Sequence, residues 1–361
     1  MKTKILQYSL VSTIAVAIVC LSLSPHVFKM PYLLFESVIS MGKTKFDPGL
    51  LMRFRDDWQK NNWAMVLGGN RVYDFTPKKR RLILSSVDGS HHGYTWHGAG
   101  LSHEGKWLGV IGNSDYPFPF QRNFFLLDWV TYNSAKGLLQ DKLVKPFPDY
   151  EVTSFTWSPK EAKLAFTGRK RNGKYKNDWE DKKTPFGVFI YDVENEKIEN
   201  LPIVGRISFT RNSWSVNDKL VFQKAKENDL FLYDIKTQAI TPLFKGYSAS
   251  WTPDGKLCYH EPKENYLNES FYLYDVVTRE KIKLLTNKDH RGSYGSISGP
   301  LVWSPDGRYV MFGVLAGFKL TEDLPHILEL STGRMTAISD AITYMFSADP
   351  TWVVQQYKKA M

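Results

Sequence analysis

The sequence predicts an all-β fold: a β-propeller of six four-stranded blades, with seven left open, closed by strands from both chain ends and preceded by an N-terminal transmembrane helix. Three observations predict it. Aromatic residues make up 14% of the 361 residues, and such side chains favour pleated, half-buried strands. Two half-repeats recur along the chain. Each end of the repeat region carries one half without its mate, and joining the two would remove exposed sheet edges.

The N-terminal segment comes first. Lys2 and Lys4 precede residues 5–28, which contain no Asp, Glu, Lys or Arg. A helix needs about 20 apolar residues to cross a bilayer, so the segment qualifies as an anchor. A cleaved signal peptide fits the same pattern, but no small-x-small site ends the run, which favours an uncleaved signal-anchor. Lysines on both sides leave orientation undecided by charge. A short basic start before a large domain places the bulk outside the cytoplasm, in the periplasm or an equivalent space. Residues 29–62 read as a juxtamembrane linker, with 32–40 as a short helix or membrane-facing surface, and residues 63–361 as the propeller. Cys20 and Cys258 are the two cysteines, and they are poorly placed to pair.

The first half-repeat reads aromatic-Ser/Thr-Pro-Asp-Gly-Lys/Arg, then an apolar strand. It is clearest from Trp251 to Lys256 and from Trp303 to Arg308, with weaker copies at Trp157-Ser158-Pro159, Trp214-Ser215 and Leu101-Ser102. Proline and Asp-Gly shape a tight turn between β-formers. The second half reads apolar-Tyr-Asp, a polar turn and another strand, as at Tyr191-Asp192, Tyr233-Asp234 and Tyr274-Asp275. Looser copies end at Asp128 and Glu329. Residues 72–84 match the second half in frame, with no first half close behind. Residues 344–349 resemble the turn of a first strand with no second half-repeat after it. Trp63 to Leu67 and Trp352 to Gln355 then compete for the second strand of the blade these ends would share.

At these residues the chain resembles the TolB-like propeller superfamily, with WD40-like Trp-Ser-Pro-Asp-Gly-Lys repeats, also seen in the propeller of prolyl oligopeptidases. The resemblance covers roughly residues 63–356. It implies a six- or seven-bladed ring that often binds protein or glycan, and no single activity. Copies at 102 and 214 lack the proline, which leaves their turn geometry open.

Function is expected on the face of the long connections, between second and third strands and between successive blades. There the sequence gathers Asp88, His91, His92, Asp149, Glu151, Asp289, His290 and Arg291, with Asp340, as a candidate ring-centre pocket. Imidazoles and carboxylates suit a divalent cation, and the resemblance to TolB-like lyases with a metal at the ring centre adds to that. Hydrated loops that cap turns explain the same residues. Arg169, Lys170, Arg171, Lys174 and Tyr175, with Trp179, form a candidate anion-binding loop; Asp178, Glu180 and Asp181 could instead balance a solvated insertion. Tyr116 to Phe120 offers a stiff aromatic surface, for a partner or for packing over the ring.

Lys and Arg number 47 against 37 Asp and Glu, a net charge of +10, which points to an anionic partner. No Gly-x-Ser-x-Gly elbow occurs, since Gly295 to Gly299 places Ile297 at the nucleophile position. No phosphate-binding glycine loop or cysteine-rich zinc motif occurs either. The expectation is therefore a binding or scaffolding module without a resident cofactor, for a protein or an anionic glycan rather than nucleic acid, with membrane contact through residues 5–28. The alternative is a carbohydrate-active lyase or hydrolase on an acidic glycan, with a polar or metal site at the ring centre.

Overall fold

The computed structural model describes residues 47–61, 63–68, 71–75, 80–85, 94–114, 121–132, 139–172, 184–210, 212–224, 228–261, 270–286, 297–315, 323–337 and 349–354. The chain is an all-β propeller, with five four-stranded blades and one three-stranded sheet among the described residues. The first blade pairs β23 (Asp349–Val354) with β1 (Trp63–Gly68), followed by β2 (Arg71–Phe75) and β3 (Arg80–Ser85). The three-stranded sheet holds β4 (Tyr94–Leu101), β5 (Trp107–Ser114) and β6 (Gln121–Asp128). Next come β7 (Tyr150–Trp157), β8 (Lys163–Lys170), β9 (Gly187–Asp192) and β10 (Lys197–Val204), then β11 (Ile207–Ser208), β12 (Lys219–Lys224), β13 (Asp229–Asp234) and β14 (Ile240–Lys245). The last two blades hold β15 (Tyr247–Trp251), β16 (Leu257–Glu261), β17 (Ser270–Tyr274) and β18 (Lys281–Thr286), then β19 (Ile297–Trp303), β20 (Tyr309–Leu315), β21 (Asp323–Glu329) and β22 (Arg334–Ala337).

Turn chemistry explains the hairpins. The Ser or Thr that opens each first-half turn folds its hydroxyl back onto the backbone. Ser102 Oγ accepts from the Trp107 amide at 3.0 Å, Thr252 Oγ1 from Lys256 at 2.9 Å and Ser304 Oγ from Tyr309 at 2.9 Å. Ser215 does the same with Lys219 at 3.0 Å, so the copies without proline keep the clamp. Gly255 and Gly307 take φ of +83° and +71°, a region that costs glycine little. The Asp of each second half caps its own turn: Asp192, Asp234 and Asp275 each accept from two backbone amides.

The sheets are tied to one another along their first strands. Trp157 on β7 donates its indole N–H to the Gly100 carbonyl on β4 at 2.9 Å. Ser154 Oγ accepts from the Phe209 amide, and Thr156 Oγ1 from Ser213. Trp251 donates Nε1 to the Ser213 carbonyl at 3.1 Å, and Ser250 donates to the Leu301 carbonyl at 3.0 Å. Between consecutive sheets lie apolar layers, such as Ile111, Phe124 and Phe147 with Phe155 and Phe166, or Ala165 and Val188 with Phe222 and Tyr233. Burial of these layers is the main favourable contribution to folding.

Several expectations need correction. The count of six four-stranded blades is corrected to five, because the sheet β4–β6 has no fourth strand among the described residues. In its place Val144 makes one isolated bridge to Leu126, with two backbone hydrogen bonds of 2.9 Å. In the shared blade, residues 344–348 lie outside the described residues, and β23, from Asp349, pairs directly with β1 from Trp63↔Val354 to Gly68↔Asp349. The two competing segments are therefore neighbours, with β1 second and β23 first. The expected transmembrane helix is also corrected. Among the described residues no helix is long and apolar enough to cross a membrane, and residues 5–28 lie outside them. The membrane-anchored, extracytoplasmic (periplasmic) placement built on that helix falls with it.

Part of the expected linker is instead a helix, α1 (Pro48–Lys60), fastened to the last blade. Asp47 caps it, accepting from the Leu50 amide at 3.0 Å, and Pro48 opens its first turn, where a missing N–H costs nothing. Leu50, Leu51, Phe54 and Trp58 form its buried face. Arg53 pairs with Glu329 at 3.0 Å, Arg334 pairs with Asp47, and Thr336 Oγ1 accepts from the Asp47 amide.

Candidate functional site

The ends where β8 stops and β7 and β9 start share one face with the start of β6 and the end of β10. That is the face of the long connections. Glu151 and Arg169 are register partners there, and Arg169 Nε donates to Glu151 Oε2 at 2.6 Å. Both side chains are buried, at 6% exposure. A charge so placed needs a partner, and each supplies the other's. Sequence reasoning assigned Glu151 to a pocket and Arg169 to an anion-binding loop. The structure brings them together. The Arg169 guanidinium also lies 4.7 Å from the Phe186 ring centroid, and Arg206 lies 5.5 Å from the same ring. An aromatic ring this near favours each cation. Gly168, the neighbour of Arg169, has no room for a side chain: a Cβ there would fall on the Glu151 carbonyl oxygen.

Arg171 binds backbone. Its amide donates to the Asp149 carbonyl at 2.7 Å, its Nη1 to the Pro148 carbonyl at 2.6 Å and its Nη2 to the Arg122 carbonyl at 2.9 Å. These acceptors are neutral. They hold the guanidinium at the joint between the three-stranded sheet and the blade β7–β10. Lys145 lies nearby with its ammonium 5.3 Å from the Phe125 centroid. Partial desolvation, and next the like charge of Arg171, hold the Lys145 ammonium below the usual lysine value. Lys145 has no carboxylate partner among the described residues. Lys170, which precedes Arg171, is exposed. The result is a cationic ledge of Lys145, Lys170 and Arg171, with the Asp149 backbone at its edge.

Asp149 and Glu151 thus lie at this ledge, while Arg169 is committed to an ion pair. Asp88, His91, His92, Asp289, His290, Arg291, Asp340, Lys174, Tyr175 and Trp179 lie outside the described residues, as does the segment from Tyr116 to Phe120. Among the described residues no group of three His, Cys, Asp or Glu could hold a metal ion. Cys258 is buried, and burial pushes its thiol far up, the condition of a structural rather than a reactive cysteine. Lys145, Phe186 and Arg206 were not singled out from sequence. Arg206 had a signal, since it follows Gly205 at a turn between blades. Lys145 had none, because its neighbour Val144 makes only a single bridge.

No family model matches the chain, and no curated protein matches it. Solved structures do. TolB from Acinetobacter baumannii is similar over 81% of this chain and 66% of its own, with a TM-score of 0.54 and 15% identity. This chain therefore spans just under two thirds of that protein. An oligogalacturonate lyase in complex with manganese is similar over 80% of this chain and 77% of its own, at TM-score 0.51 and 13% identity. A chain of a nidogen/laminin complex is covered over 100% of its length, matching 82% of this one, at TM-score 0.52 and 7% identity. At such identities the likeness shows the fold: the structural neighbours include TolB and other β-propellers, and function is not carried over.

Proposed function

We propose that the protein is a binding module that holds an anionic chain, an acidic glycan or an acidic protein segment, on the ledge of Lys145, Lys170 and Arg171. The observation that carries this reading is the approach of Lys145 to Arg171. Two cations held together without a carboxylate for Lys145 among the described residues repel each other, and an anion between them would relieve that cost. The Pro148 and Arg122 carbonyls fix the position of the Arg171 guanidinium at the ledge. The net charge of +10 would steer an acidic partner toward the surface. Similar propellers include a protein of a nidogen/laminin complex, which agrees with a role in holding partners.

Binding of fluorescent polygalacturonate and polyglutamate to the full chain, measured over a salt series, tests the reading. Wild type is expected to bind one or both, more weakly as salt rises. The double variant Lys145→Ala/Arg171→Ala is expected to lose at least tenfold in affinity and part of the salt dependence. Equal affinity in the double variant removes the ledge from the reading. Release of an unsaturated product from polygalacturonate with added manganese would replace the binding module by a lyase.

A further inference from the structure

A cavity of about 210 Å³ opens between β11–β12 and β15, away from the cationic ledge. Ser208, Thr210, Ser213, Gln223 and Ser248 line it with polar groups, and Phe209 and Phe222 supply aromatic walls. Its volume is below the roughly 300–1,000 Å³ of pockets for drug-sized molecules, so it suits one small ring. The registers Ile207↔Lys224 and Tyr247↔His260 place its mouth at the face of the long connections.

Apart from Gln223, the polar groups fall into two sets. Thr210 and Ser213 are spent inward. Ser213 Oγ accepts from the Thr210 amide at 2.8 Å and lies 3.0 Å from Thr210 Oγ1, while Thr210 Oγ1 donates to the Ala249 carbonyl at 2.6 Å. They make a rigid floor. Ser208 and Ser248, at the mouth, spend their hydroxyls on no hydrogen bond among the described residues. Ser248 sits where the β15–β16 register shifts, with φ of +52°. That conformation is uncommon for a residue other than glycine, and bulges of this kind re-aim side chains. Here the residue so placed is one that lines the cavity.

We infer that this cleft binds a single uncharged sugar ring, and the inference goes beyond the anionic-chain reading without resting on it. A serine hydroxyl both donates and accepts, which matches the hydroxyls of a sugar. Phe209 and Phe222 line the cleft with aromatic carbon, which suits the C–H groups of such a ring. A fully apolar ligand would cover the Ser208 and Ser248 hydroxyls without replacing their hydrogen bonds to water, a cost it cannot recover. An ionised group in the cleft would meet no opposite charge among the described lining residues.

Saturation-transfer NMR on the full chain with galactose, N-acetylglucosamine and, as controls, phenol and acetate tests the inference. Saturable transfer from at least one of the two sugars in the millimolar range is expected, and none from phenol or acetate. Ser248→Gly keeps the left-handed backbone open and removes only the hydroxyl; its affinity should fall about fivefold to tenfold with an unchanged melting temperature. Ser208→Trp, at an exposed position, should block the cleft and abolish transfer. No saturable sugar signal, preference for phenol or acetate, or wild-type sugar affinity in both variants overturns the inference.

Discussion

Tyr309 donates its hydroxyl to Asp57 at 2.6 Å, and Arg308 reaches the same carboxylate at 3.0 Å, so one acidic side chain of α1 is bound by two adjacent residues at the start of β20. Phe54 completes the joint, edge-on to Tyr309 with ring centroids 5.3 Å apart and 1% exposed. Tyr309→Phe should cost about 1.5–3 kcal/mol, a hydrogen bond to a charged acceptor, and Phe54→Ala about 3–5 kcal/mol. Urea unfolding of both variants checks this. Phe54→Ala at wild-type stability would mean that the helix is not part of the cooperative unit.

The buried Glu151–Arg169 pair gives a second test. Arg169→Met alone leaves a buried carboxylate without its ion-pair partner and should cost about 3–5 kcal/mol, whereas Glu151→Leu/Arg169→Met together should lie much nearer wild type. Chemical denaturation of the two single variants and the double variant measures the coupling. Additive losses would show that the two charges act independently.

Repeat tryptophans differ in their indole N–H. Trp157 donates to Gly100, while Trp303 Nε1 is buried with no hydrogen-bond partner among the described residues. Both rings are nearly buried, at 6% and 5% exposure. Phenylalanine at either site loses similar ring area, so Trp157→Phe should be about 1 kcal/mol more destabilising than Trp303→Phe. Thermal unfolding of the pair decides it, and equal losses would assign the whole effect to packing.

Acid should loosen the joint with α1. Burial acts to raise the Glu329 pKa, but hydrogen bonds from Thr332 at 2.7 Å and Arg53 at 3.0 Å outweigh it and hold the carboxyl below the usual glutamate value. A carboxyl with a lowered folded-state pKa stabilises fully above its unfolded value, about 4.3, and loses that contribution as pH falls through the folded value. Glu329→Gln should therefore melt below wild type at pH 7, and the gap should narrow below about pH 4. A gap constant from pH 7 to pH 3 would exclude this linkage.

The parts of this fold that were legible in the sequence are those decided by adjacent residues. Ser304, Asp306 and Gly307 form one turn whose hydrogen bonds stay within it, so the repeat could be read directly. The helix α1 was equally legible, in Asp47-Pro48 and the spacing of Leu50, Phe54 and Trp58, but the segment was read as linker. Other features depend on distant segments. That a single bridge from Val144 is all that pairs with the outer side of β6 among the described residues follows from packing that no periodicity encodes. The pairing of Glu151 with Arg169 depends on the register of β7 and β8, which shifts between Val152 and Ser154. A one-residue change of register moves a side chain to the other face, so their charges alone could not place them together.

The pairing of β23 with β1 also bears on synthesis of the protein. As the nascent chain leaves the ribosome, β1 to β3 appear early, and the neighbour of β1 appears only after every other described strand. Blades such as β11–β14 can form hairpins from consecutive residues as they emerge. The first blade must wait with one side of β1 bare, and such an edge attracts other chains. Its completion therefore comes only after every other described strand has been made, and a ribosome stalled before Asp349 would display an adhesive, unfinished sheet.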